Sequence, residues 1–157
     1  MRILLLLLLP ALFSFHPPVG KVSAHAYVRI SSPGAMRVDE DGNPLNTFVV
    51  QRFIILETPG NYSINKVKAY SGNLAFTCSI EEITSARELI GKDFTSGKSL
   101  YAGRKKNNRT WRIMLVPVHG AQPAKPLKDL WISGMNGTKS FKVSHLSETQ
   151  LESVQFQ

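Results

Sequence analysis

Apolar and polar positions alternate in short runs along most of this chain. In Trp111-Arg112-Ile113-Met114-Leu115, residues 111, 113 and 115 share one face of an extended strand, because successive strand side chains point to opposite sides. In Ser140-Phe141-Lys142-Val143-Ser144, Phe141 and Val143 face inward and Lys142 outward. The stretch 47–56 is more continuously apolar (Phe48, Val49, Val50, Phe53, Ile54, Ile55, Leu56), the pattern of a central strand covered on both faces. Strands are expected over 26–31, 36–39, 47–57, 64–70, 74–80, 111–118, 130–133 and 139–145.

Turn residues punctuate these runs: Ser32-Pro33-Gly34, Asp41-Gly42-Asn43-Pro44, Pro59-Gly60, Ser71-Gly72-Asn73, Lys106-Asn107-Asn108 and Asn136-Gly137. Asn136-Gly137 is the strongest hairpin signal, since both residues tolerate the positive φ of a tight two-residue turn. Helical patterning is confined to 80–90, with Glu81, Glu82, Arg87 and Glu88 on the polar side. Segment 147–154 reads as a terminal helical turn or an edge strand. Pro117, Pro123 and Pro126 keep 120–126 out of a central ladder, so it is expected as a long loop. The fold class that follows is all-β: an immunoglobulin-like β-sandwich of about seven or eight strands with one short helix.

The N-terminus is a different kind of segment. Arg2 precedes an apolar run that ends near Phe15, the charge and core of a secretory signal peptide. The run is roughly 13 residues, whereas a membrane-spanning helix needs about 20. Residues 1–24 are expected to be the signal, cleaved after Ala24 or Ala26, and 25–157 a single secreted domain. No second apolar stretch is long enough to span a bilayer, so no transmembrane segment is expected in the mature chain. Localisation is expected to be secreted, periplasmic or cell-envelope.

Composition refines this picture. An apolar fraction of 43% suits a packed core and not a disordered chain. The single cysteine, Cys78, rules out an internal disulfide, and its apolar setting fits a buried small hydrophobe. Three sequons start at Asn61, Asn108 and Asn136, and a eukaryotic secretory pathway would glycosylate them. The formal charge is +8, or +6 without Arg2 and Lys21. That excess favours an anionic polysaccharide or an acidic protein partner, and export disfavours nucleic acid.

Candidate chemistry concentrates in 97–112. Arg104, Lys105, Lys106 and Arg109, with Tyr101 and Trp111 at the flanks, are expected as a contact patch, because cations meet anionic groups and rings stack on sugar faces. Two other motifs fail on spacing. Between Gly91 and Gly97 stand five residues where a phosphate loop has four. Asp39-Glu40-Asp41-Gly42-Asn43 is followed by Pro44 where a calcium loop needs glycine. No hydrolase motif is present, and Glu81 and Glu82 point apart on helix or strand alike. No catalytic residue is assigned, and whether the chain is an enzyme stays open on the side of not.

A second reading concerns the histidines. After cleavage at Ala24, His25 would offer an amine and an imidazole to copper, with His119 as the partner ligand. The start His25-Ala26-Tyr27-Val28, with Ser32-Pro33-Gly34 following, resembles that of secreted copper proteins of the lytic polysaccharide monooxygenase and periplasmic copper-carrier types. The resemblance covers about ten residues. The disulfides usual in the monooxygenases and the Met-rich tracts usual in the carriers are missing. The leading expectation is a non-enzymatic binding or accessory module without a cofactor, recognising an anionic glycan, a surface component or a partner protein. A small copper-binding protein is the alternative.

Overall fold

The computed structural model describes residues 21–32, 37–42, 44–45, 48–60, 63–120 and 122–153. Residues 1–20, which hold the body of the expected signal peptide, lie outside them. Twelve strands follow in chain order: β1 (Ser23–Ser31), β2 (Arg37–Val38), β3 (Pro44–Leu45), β4 (Val49–Pro59), β5 (Ile64–Ser71), β6 (Leu74–Ile83), β7 (Glu88–Lys92), β8 (Ser99–Ala102), β9 (Asn108–Pro117), β10 (Leu130–Asn136), β11 (Lys139–Leu146) and β12 (Glu148–Leu151). Both candidate signal cleavage points therefore fall inside β1.

Eight strands form one sheet in the order β11-β10-β5-β6-β9-β4-β1-β12. The β1–β12 pair is parallel and the rest are antiparallel. β11 and β12 are its opposite edges, yet Ser147 alone separates them in the chain. So short a link forces the sheet to curl until its edges approach. Two smaller ribbons, β2–β3 and β7–β8, lie outside it.

Curling encloses the inward side chains. Ile54 and Leu56 of β4, Trp111, Ile113 and Leu115 of β9, Ala69 of β5, Phe76 of β6, and Leu130 and Ile132 of β10 make the main core. The outward neighbours on β4, Phe53 and Ile55, are buried too, against Ile83, Ile90 and Leu151, with Leu100 and Ala102 of the β7–β8 ribbon packed beside them. Both faces of β4 are covered over Arg52–Leu56, whereas Phe48 and Val49, expected to share that cover, are exposed. Each buried apolar side chain contributes roughly 1.5–3 kcal/mol.

The helix expected over 80–90 is not there. Residues 80–83 complete β6, 84–87 bend, and β7 starts at Glu88. Cross-strand register explains the difference: Glu81 lies opposite Arg112 and Glu82 opposite Trp111, within reach of cations on β9 that a helix would turn away from. Ile80, Ile83 and Thr84 are also β-branched and favour strand. Segment 147–154 supplies the edge strand β12. The β10–β11 hairpin forms, but its two turn residues are Gly137, at φ 61°, and Thr138; Asn136 ends β10 paired with Lys139 and does not take a positive φ.

Two charged side chains share the inward face. Arg52 and Glu148 are both fully buried and form an ion pair. The Arg52 guanidinium also donates to the carbonyls of Pro123 and of Lys125, the latter at 2.9 Å. The Leu127 amide donates to Glu148 Oε2 at 2.8 Å, and the Glu148 amide to the Leu127 carbonyl at 2.9 Å. The expected long loop after β9 is thus tied to the sheet by two side chains that satisfy its polar backbone. Burial pushes the Glu148 carboxyl above the usual carboxylate range, although the Leu127 amide and Arg52 pull it down.

Candidate functional site

The loop 103–107 joins β8 to β9, and its backbone is held firmly at both ends. A Cβ at Gly103 would lie 2.1 Å from the Ala86 carbonyl oxygen, so glycine alone permits this close approach. Beside it, the Arg104 amide donates to the Ser85 carbonyl at 2.8 Å. At the other end the amides of Asn107 and Asn108 donate to the Lys105 carbonyl, at 3.1 and 3.2 Å, and the Gly60 amide to the Asn107 carbonyl at 3.1 Å. This frame projects the side chains of Arg104, Lys105, Lys106 and Arg109 around a depression of about 250 Å³, completed by Asn107 and Asn108. A second depression beside it is lined by Glu82, Thr84, Arg104 and Arg109.

Acids from other strands offset part of this charge. Lys105 Nζ lies 2.7 and 2.8 Å from the two carboxylate oxygens of Glu57 on β4. Arg109 grips Glu82 with two N–H groups, Nε to Oε1 at 2.8 Å and Nη2 to Oε2. The hydrogen bond from Arg109 holds the Glu82 carboxyl below its usual range, and Glu82 in turn raises the guanidinium. Arg112, farther along β9, pairs with Glu88 and stands 3.5 Å from Glu81. Arg104 and Lys106 are exposed and make no ion pair among the described residues. Arg104 is near enough to Glu82 to help hold that carboxyl down, so the least compensated charge of the segment sits on Lys106.

The expected aromatic flanks are placed differently from the cations. Trp111 is 5% exposed and belongs to the core. Its Nε1 donates to Thr58 Oγ1 at 3.0 Å, and the Arg109 guanidinium lies 4.5 Å from the ring centroid. It is a floor under Arg109 and not a ring open to a ligand. Tyr101 is exposed on β8, with the Arg87 guanidinium 3.8 Å from its ring centroid, and it lines neither depression. Of the six residues, four converge, one lies beneath them and one stands apart.

The two histidines are not brought together. His25 stands opposite Ile55, and Ile55 opposite Arg112 of β9. His119 lies past the end of β9, in the bend after Pro117, and the five residues of strand from Arg112 to Pro117 alone span roughly 16 Å along the sheet. Among the described residues no group of three or more His, Cys, Asp or Glu side chains is arranged to hold a metal ion.

Asn61 lies outside the described residues. Asn108 is half-buried opposite Pro59, and Asn136 donates its amide to the Pro59 carbonyl at 3.2 Å. Cys78 is a free, half-buried thiol that burial pushes up to about 11. Among the described residues no helix is long and apolar enough to cross a membrane.

Sequence reasoning missed the carboxylates that define the site's charge, Glu57 and Glu82. The signal available was their position on strands flanking the basic segment, which a register prediction would have exposed. The chain matches no family model, and no curated protein or solved structure matches it.

Proposed function

We propose that this protein is a secreted or envelope-associated binding module, without catalysis or cofactor, that recognises an anionic glycan through its cationic rim. The observation behind this reading is the convergence of Arg104, Lys105, Lys106 and Arg109 on one depression, with Arg104 and Lys106 exposed and in no ion pair among the described residues, although Arg104 acts on the Glu82 carboxylate from a distance. Clustered cations attract polyanions at a rate that falls with salt. Lys105 and Arg109 are held by Glu57 and Glu82, so they shape the rim while Arg104 and Lys106 supply the net attraction.

An immunoglobulin-like sandwich is the architecture we infer for this module. Its support is that β5 and β6 pair over Ala69–Ser71 and Leu74–Phe76 and then part company, β5 continuing along β10 and β6 along β9. The curl then reads as a three-stranded layer, β11-β10-β5, facing a five-stranded one.

The test is calorimetric titration with a sulfated or uronate oligosaccharide. The charge reversals Arg104→Glu and Lys106→Glu together should weaken binding by more than about tenfold, equivalent to about 1.4 kcal/mol. Unchanged affinity in that double variant sinks the reading.

A further inference from the structure

The outward face of the main sheet holds a cleft that no sequence motif marks. Three successive rows of outward residues build its base. Arg29 of β1 stands opposite Gln51 of β4. In the next row Phe53 stands opposite Met114 of β9, and in the third Arg112 of β9 stands opposite Glu81 of β6. Leu89 and Ile90 of the β7–β8 ribbon complete the lining, around a volume of about 340 Å³. Ligand clefts run from roughly 300 to 1,000 Å³, so this one suits a small molecule.

The two arginines stand at opposite ends, and only one has a counter-charge. Arg112 pairs with Glu88 and lies 3.5 Å from Glu81, the one carboxylate lining the cleft among the described residues. Arg29 makes no ion pair among those residues, and its hydrogen bonds go to neutral acceptors. Nη1 donates to Gln51 Oε1 and Nη2 to the Ile90 carbonyl, each at 3.1 Å. Its Nε is buried and makes no hydrogen bond. Gly91 leaves the room it occupies, since a Cβ there would come within 3.1 Å of Nη2. The other described arginines that are buried or half-buried, Arg52, Arg109 and Arg112, each pair with a carboxylate. Arg29 is the exception. Taking a guanidinium partly out of water has a desolvation cost that a nearby anion offsets.

We propose that this cleft binds a small organic monocarboxylate, its head on Arg29 and its apolar body over Phe53, Met114 and Leu89. A guanidinium has five N–H donors in a planar fork that matches a carboxylate. Arg29 spends Nη1 and Nη2 donors on Gln51 and Ile90, and Nε–H is among those left to donate. Glu81 and Glu88 neutralise the Arg112 end, so the ligand carries a single charge. Leu89 is 55% exposed at the lip, an apolar surface that an inorganic anion would leave unused. The cleft contains none of the rim cations and stands or falls apart from them.

Methyl NMR with labelled methionine reads the site. Met114 lines the cleft, whereas Met135 lies on β10, with β5 and β6 between it and β9. Met114→Leu assigns the signal. Titration with hexanoate should shift the Met114 methyl saturably and leave that of Met135 in place. Hexanamide keeps the shape without the charge, and acetate keeps the charge without the tail; each should bind at least about tenfold more weakly, about 1.4 kcal/mol. Arg29→Gln should weaken hexanoate by a similar factor, with Arg29→Lys in between. Arg104→Glu with Lys106→Glu should leave the titration unchanged, so failure of the rim and failure of the cleft are read separately. A Met114 methyl that does not move overturns the proposal. So does equal affinity for hexanoate and hexanamide, a comparison that needs no variant and survives any misfolding of Arg29→Gln. Acetate or phosphate binding as tightly as hexanoate overturns it too, since the apolar lining would then contribute nothing.

Discussion

Arg52→Met isolates the buried ion pair. It leaves the Glu148 carboxylate fully buried without its counter-charge and takes donors from the Pro123 and Lys125 carbonyls. Removing one partner of a buried pair costs about 3–5 kcal/mol, because the other charge stays desolvated. Against a typical stability of about 5–15 kcal/mol, that is a large share. At roughly 3–4 °C per kcal/mol for a domain this size, the melting temperature should fall by about 10–20 °C.

Replacing both partners, Arg52→Met with Glu148→Leu, removes the stranded charge, and the pair has unsatisfied atoms even in the native protein: Arg52 Nε and Glu148 Oε1 are buried without partners. The double variant should therefore recover about half of the loss. What it cannot recover is the anchoring of the 123–127 backbone. Chemical denaturation of the two single variants and the double gives the coupling energy. If the two effects add within about 0.5 kcal/mol, the pair is not a unit and the reasoning is wrong.

The same site sets a pH dependence. Burial raises the Glu148 pKa in the folded state, so through the window between the ordinary carboxylate value and the raised one the folded protein binds more protons than the unfolded chain. Stability should fall as pH rises through that window. Glu148→Gln should flatten the slope while lowering stability throughout, since Arg52 is then unpaired.

Three smaller tests bear on the packing. Trp111→Phe strands the buried Thr58 hydroxyl that Nε1 now meets at 3.0 Å and should cost about 1–3 kcal/mol by urea denaturation. Gly103→Ala drives a methyl group into the Ala86 carbonyl; about 1–3 kcal/mol of destabilisation is expected, with weaker oligosaccharide binding because the loop bearing Arg104 must shift. Cys78, with its thiol at about 11, should alkylate with iodoacetamide at pH 8 far more slowly in the native than in the urea-unfolded protein.

Strand positions were largely legible because period-two alternation is written locally. The two-faced burial within β4 is visible in the apolar run Phe53-Ile54-Ile55-Leu56, and Gly137 marks the β10–β11 hairpin, although the turn falls on Gly137-Thr138, one residue later than Asn136-Gly137. Segment 80–90 misled because Glu81, Glu82 and Glu88 look like the wet side of a helix, whereas their partners are arginines on β9. The β7–β8 ribbon was illegible for a related reason: Leu89-Ile90 and Leu100-Tyr101 are too short to show a period. Arg52 did leave a trace, an arginine at the same parity as Ile54 and Leu56. In the candidate site the cations were legible as a cluster, but Glu57 lies 48 residues from Lys105 and Glu82 27 from Arg109, so their neutralisation depends on tertiary register.

Register also bears on the choice between cleavage after Ala24 and after Ala26. The first leaves His25–Ser31 of β1; the second removes His25 and Ala26 as well. Ala26 is 2% exposed and part of the main core, and it is paired with Ile54 on one side and with Glu148 on the other. Ending the chain at Tyr27 would open the sheet beside the buried carboxylate and let water reach the Arg52 pair. A chain beginning at His25 should therefore melt several degrees above one beginning at Tyr27. On the proposal that residues 1–24 are a signal, a product starting at His25 is the one expected to persist folded, read from the intact mass of protein recovered from an exporting host. Equal melting temperatures would show that Ala26 does not seal the pair, and the preference for Ala24 would lose its physical basis.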